Sequence, residues 1–102
     1  MLNLNESNFS QETNDGLVVV DFYATWCAPC RALTPILEEL DKKGGVKVAK
    51  INIDEAESIA RQFNVASIPT VVFLKNGQEV SRFVGVRRLD QIETMAEAAK
   101  DK

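Results

Sequence analysis

The 102 residues carry 12 basic and 15 acidic side chains, a net charge of −3, which argues weakly against nucleic-acid binding, a function that normally needs a concentrated basic surface. With 45 % hydrophobic and 26 % charged residues, the composition suits one globular domain over residues 1–102. No apolar run approaches the roughly 20 residues that cross a bilayer, and the absence of histidine leaves acid–base work to carboxylate, lysine or thiol groups.

The opening Met1-Leu2-Asn3-Leu4-Asn5-Glu6 lacks a basic stretch followed by an apolar one, so a cytoplasmic location is expected. Leu2–Leu4 reads as a short edge strand. Leu17-Val18-Val19-Val20-Asp21-Phe22-Tyr23 is rich in β-branched and aromatic residues, and its apolar run is nearly continuous, as in a central strand covered on both faces. Cys27 and Cys30 follow. Ala32, Leu33, Ile36, Leu37 and Leu40 then keep a helical period that stops before Lys42-Lys43-Gly44-Gly45, with Pro35 predicting a kink.

Val46 to Ile53 alternates as a second long strand, Val46, Val48 and Lys50 on one side, Lys47, Ala49 and Ile51 on the other. Asp54 is placed as the cap of a short helix, with Glu57 as its box partner and Ile59, Ala60 and Phe63 inward. Thr70–Leu74 forms a strand, Asn76-Gly77 a type I′ turn, and Glu79 to Val84 returns antiparallel. Leu89, Ile92, Met95, Ala96 and Ala99 line a final amphipathic helix. This order implies a mixed central sheet of four to five strands with helices on both faces and the first two long strands parallel. Cys27 then falls at the carboxyl end of a central strand and the amino end of a helix, where open α/β sheets hold their sites.

Three readings compete for Trp26-Cys27-Ala28-Pro29-Cys30. A structural staple across so short a loop gains only about 2 kcal/mol from restricting the unfolded chain. A closed zinc site needs about four ligands, and two thiolates without histidine supply half of them. A reversible redox couple fits both the spacing and the position. Pro29 suits a first helical turn, where its missing N–H is not needed. The free amides of that turn stabilise a thiolate, and Cys27, at the exposed start, is assigned as nucleophile with Cys30 as the resolving thiol.

Asp21 interrupts an apolar strand. Either it is solvated at a strand end, or it is buried and its charged form disfavoured, in which case it can accept a proton from Cys30. Lys50, on the neighbouring parallel strand, is either a partner in reach of Asp21 or a surface lysine.

Taken together, Val20-Asp21-Phe22-Tyr23-Ala24-Thr25-Trp26-Cys27-Ala28-Pro29-Cys30, Pro35, Lys50-Ile51-Asn52-Ile53-Asp54, Ser67-Ile68-Pro69-Thr70, Phe73-Leu74-Lys75-Asn76-Gly77 and Val84-Gly85 resemble the thioredoxin family over nearly the full chain. The resemblance implies the thioredoxin fold and protein-disulfide reductase activity. It also implies a cis-proline at Pro69 and a docking surface of Trp26, Ile68, Pro69 and Gly85, with Ala28 and Pro29 between the cysteines. Packing alone is the other reading of Trp26, and a tight bend that of Gly85. The implied partners are disulfide-containing client proteins and an NADPH-dependent thioredoxin reductase, with the chain itself a monomer. The sequence has no dinucleotide fingerprint and no cofactor is expected, so reducing equivalents must arrive through a partner. Ala28 stands where the family usually has glycine, Arg31 where lysine is frequent, and the short Phe9–Gly16 segment implies a reduced first helix. Outside this class stand a thiol oxidase or isomerase using the same couple, and a binding subunit of a larger assembly.

Overall fold

In the computed structural model, which describes residues 1–102, β1 (Leu2–Leu4) and α1 (Phe9–Thr13) lead into β2 (Leu17–Tyr23) and α2 (Ala28–Lys43). β3 (Lys47–Asn52), α3 (Glu57–Gln62), the hairpin of β4 (Thr70–Lys75) and β5 (Gln78–Val84), and α4 (Leu89–Lys100) complete the chain. The five strands form one mixed sheet in the order β1-β3-β2-β4-β5. β2 runs parallel to β3 and antiparallel to β4, and so occupies the centre.

The near-continuous apolar run of β2 has its physical reason here, because both of its faces are covered. Val19 packs with Leu33, Leu37 and Leu40 of α2 and Ile92, Ala96 and Ala99 of α4. Val18, Val20 and Phe22 pack on the opposite face with Phe9 of α1, and half-buried Ile59 and Phe63 lie against them. Each such fully buried aliphatic or aromatic side chain contributes about 1.5–3 kcal/mol relative to exposure. The helical stripes are spaced to match: buried residues recur at steps of four and three along both α2 and α4.

β3 shares this double covering. Val48 joins the α2–α4 face, while Ala49 and Ile51 join the α1–α3 face. The strand is shorter than its alternation predicts, because Val46 and Ile53 lie outside the ladder.

α2 runs unbroken through Pro35, whose ring nitrogen cannot donate to the carbonyl one turn back. Two lysines in the last turn favour its negative end, and Gly44 stops it at φ +74°. The hairpin turn has Asn76 at φ +52° and Gly77 at φ +83°, both in the left-handed region that a type I′ turn demands.

The predicted cap of α3 is not formed. Ala56, not Asp54, precedes the helix, and no side chain caps it. Asp54 is drawn elsewhere: its carboxylate accepts a hydrogen bond from Trp26 Nε1. That partner, 28 residues away in sequence, could not be read from local spacing.

Candidate active site

The central strand delivers the chain to the site. After Tyr23 closes β2, three residues lead to Cys27, which is the N-cap of α2. Cys27 is extended (φ −95°, ψ 111°), and its carbonyl already accepts the amide of Arg31 at 3.3 Å. Its Sγ accepts the amide of Cys30 at 3.2 Å, the place a serine or aspartate oxygen takes in an ordinary cap. One of the unpaired donors of the first turn is thereby aimed at sulfur. Pro29 occupies the first turn, where it sacrifices no hydrogen bond.

The two sulfurs are bonded to one another, with the Cα atoms 5.3 Å apart. Cys27 is 5 % exposed and Cys30 1 %, so Cys27 has the more solvent contact although neither lies open. Ala28 and Pro29 are exposed on the rim between them. Ala24 packs against the pair, with Tyr23, Ile53 and Ile68 around it. An open cavity of about 270 Å³, lined by Tyr23, Ala24, Thr25, Cys30, Arg31 and Thr34, lies beside Cys30.

Facing the ring is the loop that enters β4. Ile68 O lies 3.8 Å from Cys27 Sγ, and the Ile68–Pro69 bond is cis. Thr70 donates its hydroxyl to Ser67 O across this bond. Pro69 is buried, and its carbonyl accepts the amide of Gly85 at 2.9 Å, which joins the end of β5 to the same loop. Gly85 is at φ +90°, a conformation that any side chain would strain. Trp26 is 67 % exposed, and Val84 and Val86, on either side of Gly85, are 49 % and 44 % exposed.

Asp21 lies beneath α2, on the face of β2 that carries Val19. Its carboxylate is 1 % exposed, and no donor reaches either oxygen. Desolvation accordingly raises its pKa from 3.8 to about 7, partly opposed by the positive charge of Lys50. Asp21 and Lys50 are direct register partners across β2 and β3. The Lys50 ammonium sits over the Tyr23 ring, 5.4 Å from its centroid, and Asp21 is left without a hydrogen bond. Burial also raises the Tyr23 pKa, helped by the charges of Glu55 and Asp21.

The structure therefore brings Cys27, Cys30, Ile68, Pro69 and Gly85 together at one end of the sheet and pairs Asp21 with Lys50 in the strands behind them. Sequence reasoning gave Tyr23, Ile53 and Asp54 no place at the site, because their neighbours in space are distant in the chain. It also passed over Val84 and Val86. The apolar residues flanking Gly85 were a usable signal, since that segment leaves the sheet.

A mixed five-stranded sheet whose central strand ends in a closed Cys-x-x-Cys ring at a helix start defines a dithiol–disulfide oxidoreductase of the thioredoxin fold. The thioredoxin family model matches residues 1–98. Thioredoxin from Chlamydia caviae is 44 % identical over 86 residues, covering 83 % of this chain and 84 % of that protein. Thioredoxin from Bacillus subtilis is 40 % identical over 92 residues, 88 % of each. A mutant thioredoxin from Halobacterium salinarum superposes with a TM-score of 0.90 at 31 % identity, over 97 % of this chain and 89 % of that one. The chain belongs to the thioredoxin family.

Proposed function

We propose that the chain is a protein-disulfide reductase working through a mixed disulfide on Cys27. The observation that carries this reading is the position of Cys27 Sγ, which caps α2 and accepts the Cys30 amide at 3.2 Å, so negative charge on that sulfur meets a donor already in place. The Cys27 thiolate attacks one sulfur of a client disulfide. A Cys27–client bond forms, the client S–S bond breaks, and the second client sulfur leaves as a thiolate that takes a proton from water.

Cys30 then gives its proton to the Asp21 carboxylate and attacks Cys27 Sγ. The ring disulfide forms, the mixed disulfide breaks, and the remaining client thiolate departs. Two electrons have passed to the client, and the protein is left in the bonded form described above. A group with a pKa of about 7 is divided between its two forms near neutrality, as a proton carrier should be. The Lys50 charge keeps that value from rising further.

Trp26, Ile68, Pro69 and Gly85, with Ala28 and Pro29 at the rim, serve as the client-docking surface. The exposed Trp26, Ala28 and Pro29, with half-buried Ile68 and Gly85, give it an apolar character that suits an extended, unfolded or loop-borne disulfide segment. A thioredoxin reductase drawing on NADPH restores the dithiol, and the protein works as a monomer in a reducing cytoplasm.

The reading is tested by supplying the full chain with NADPH, a thioredoxin reductase and a disulfide-bonded protein, and following NADPH oxidation. Cys30→Ser should abolish turnover and trap the client on Cys27, detected by mass mapping. Trapping through residue 30 in Cys27→Ser, with none on Cys27 in Cys30→Ser, would reverse the assignment. No client reduction by the unmodified chain would refute the activity.

A further inference from the structure

We propose that Arg87 is a specificity determinant that favours client disulfides flanked by an acidic side chain, an inference that rests on the reductase reading. The chain leaves the sheet at Gly85, whose amide donates to Pro69 O at 2.9 Å, so the residues that follow start from the edge of the client-docking surface. Val86 is 44 % exposed there, and Arg87 is exposed beside it.

The Arg87 guanidinium is held in place. It lies over the ring of Phe83, 5.4 Å from the centroid, and Phe83 is itself buried in the core with Leu33 and Ile92. An arginine seated on a fixed ring gives up less freedom on binding than one loose in water. The contact occupies no oxygen acceptor, so the N–H fork stays open to a carboxylate from outside.

No carboxylate of the chain claims it. Lys43, Lys47, Arg82, Arg88 and Lys100 are paired with Glu93, Glu12, Glu79, Asp90 and Glu97, whereas none lies within ion-pair distance of Arg87. The acid two residues past the neighbouring Arg88 is committed to that arginine, and Asp54 is committed to Trp26. Arg31, directly after Cys30, is also exposed and without a carboxylate, its Nη1 donating to Thr25 O at 2.9 Å. Two open guanidinium groups thus border an apolar surface on a chain whose net charge is −3. General attraction to such a chain favours basic clients, so a preference for acidic ones has to come from this border. A client segment lying along Ile68, Pro69 and Gly85 brings the side chain next to its disulfide to Arg87.

The test uses three peptides with the same intrachain disulfide, carrying Glu, Gln or Lys on the outer side of each cysteine. The full chain is reduced beforehand and mixed with each peptide, and peptide thiols are counted after acid quenching. Each rate is divided by that of dithiothreitol on the same peptide, which removes differences in the disulfide's own reactivity. The Glu peptide should react about 2- to 5-fold faster than the Gln peptide, the range of one exposed ion pair, with the Lys peptide slowest. Salt at about 0.5 M should compress the three rates. Arg87→Gln should bring the Glu peptide down to the rate of the Gln peptide and leave the Gln peptide unchanged, and Arg87→Glu should favour the Lys peptide. Lys42→Gln makes the same change in net charge at the other end of α2, roughly 20 Å from Cys27, and should keep the original order. The proposal is overturned if the unmodified chain does not prefer the Glu peptide, if the preference survives Arg87→Gln, if that variant slows all three peptides alike, or if Lys42→Gln abolishes the preference as well. Failure to reduce any of the peptides ends the reductase reading and this proposal with it, whereas reduction without discrimination ends the proposal alone.

Discussion

Replacing Asp21 with asparagine removes a charge while nearly keeping the shape of a side chain whose two oxygens have no partner in the folded protein. Burial lifts its pKa from 3.8 to about 7, so the folded state holds the proton where the unfolded chain has already released it. Each pH unit between the two values costs about 1.4 kcal/mol, and the whole interval amounts to an upper bound of about 4 kcal/mol. The sign follows from which state ionises first. Below about pH 4 the carboxyl is neutral in both states and there is no penalty. Between about pH 4 and pH 7 the unfolded chain is ionised while the folded chain stays protonated, so stability falls as pH rises. Above about pH 7 the folded group ionises too, and the loss reaches its plateau.

Asp21→Asn abolishes this dependence. A neutral carboxyl is as unpartnered there as an amide, so the substitution adds only a small offset that does not change with pH. Urea melts of the oxidised proteins from pH 4 to pH 8.5 should show a stability difference near zero at the acid end. At the alkaline end the variant should be more stable by up to about 4 kcal/mol. With a urea m-value of about 1–3 kcal/mol/M, the full difference would move the midpoint by about 1–4 M. Every other carboxylate is common to both proteins and cancels. A difference that stays constant across the range would show that Asp21 is not held neutral by burial, and the reasoning would be refuted.

Lys50→Met removes the charge that pulls the Asp21 pKa down, so that pKa should rise above its present value of about 7. In stopped-flow experiments, the pH profile for resolving the mixed disulfide should then shift to the alkaline side; an acid shift or none would separate Lys50 from Asp21. Brief alkylation of the reduced protein, read by peptide mass mapping, should label Cys27 well before Cys30, in keeping with its greater exposure and its place at the helix start. Equal labelling would contradict the ordering. Ala28→Gly alters an exposed residue on the rim of the ring, so client reduction should persist and the reduction potential should move by less than about 30 mV, or about 1.4 kcal/mol. A larger displacement on equilibration with glutathione would mean that the methyl discriminates between the dithiol and the disulfide.

Much of the architecture was legible because local pattern and tertiary environment agree. The continuous run Leu17–Tyr23 reads as a doubly covered strand, and β2 lies at the middle of the sheet. Asn76-Gly77 gives a turn whose two positive φ angles need those residues. The stripe from Leu33 to Leu40 identifies the buried face of α2. Where local chemistry and tertiary contact compete, the pattern misleads. Asp54 with Glu57 has the form of a capping box, yet the carboxylate goes to an indole from another loop. The site was legible in the same uneven way. The spacing of Cys27 and Cys30 and the strand before them are local facts, and the structure joins the two as a ring. That Lys50 is the register partner of Asp21 depends on how β3 aligns with β2, and that its ammonium settles over Tyr23 depends on side-chain packing. Neither is encoded in a short window.

The central claim is that this couple gives electrons to client disulfides, and the reduction potential tests it most directly. Thioredoxins lie near about −270 mV, whereas disulfide isomerases and oxidants lie near about −180 and −120 mV. Equilibrating the full chain over a series of glutathione redox buffers, and measuring the fraction of Cys27–Cys30 disulfide after acid quenching and mass analysis, yields the value. The account predicts a potential on the reducing side of glutaredoxins, below about −230 mV. A value near −180 mV or above, at about the isomerase or oxidant range, would contradict it and make the protein an acceptor of electrons from its clients.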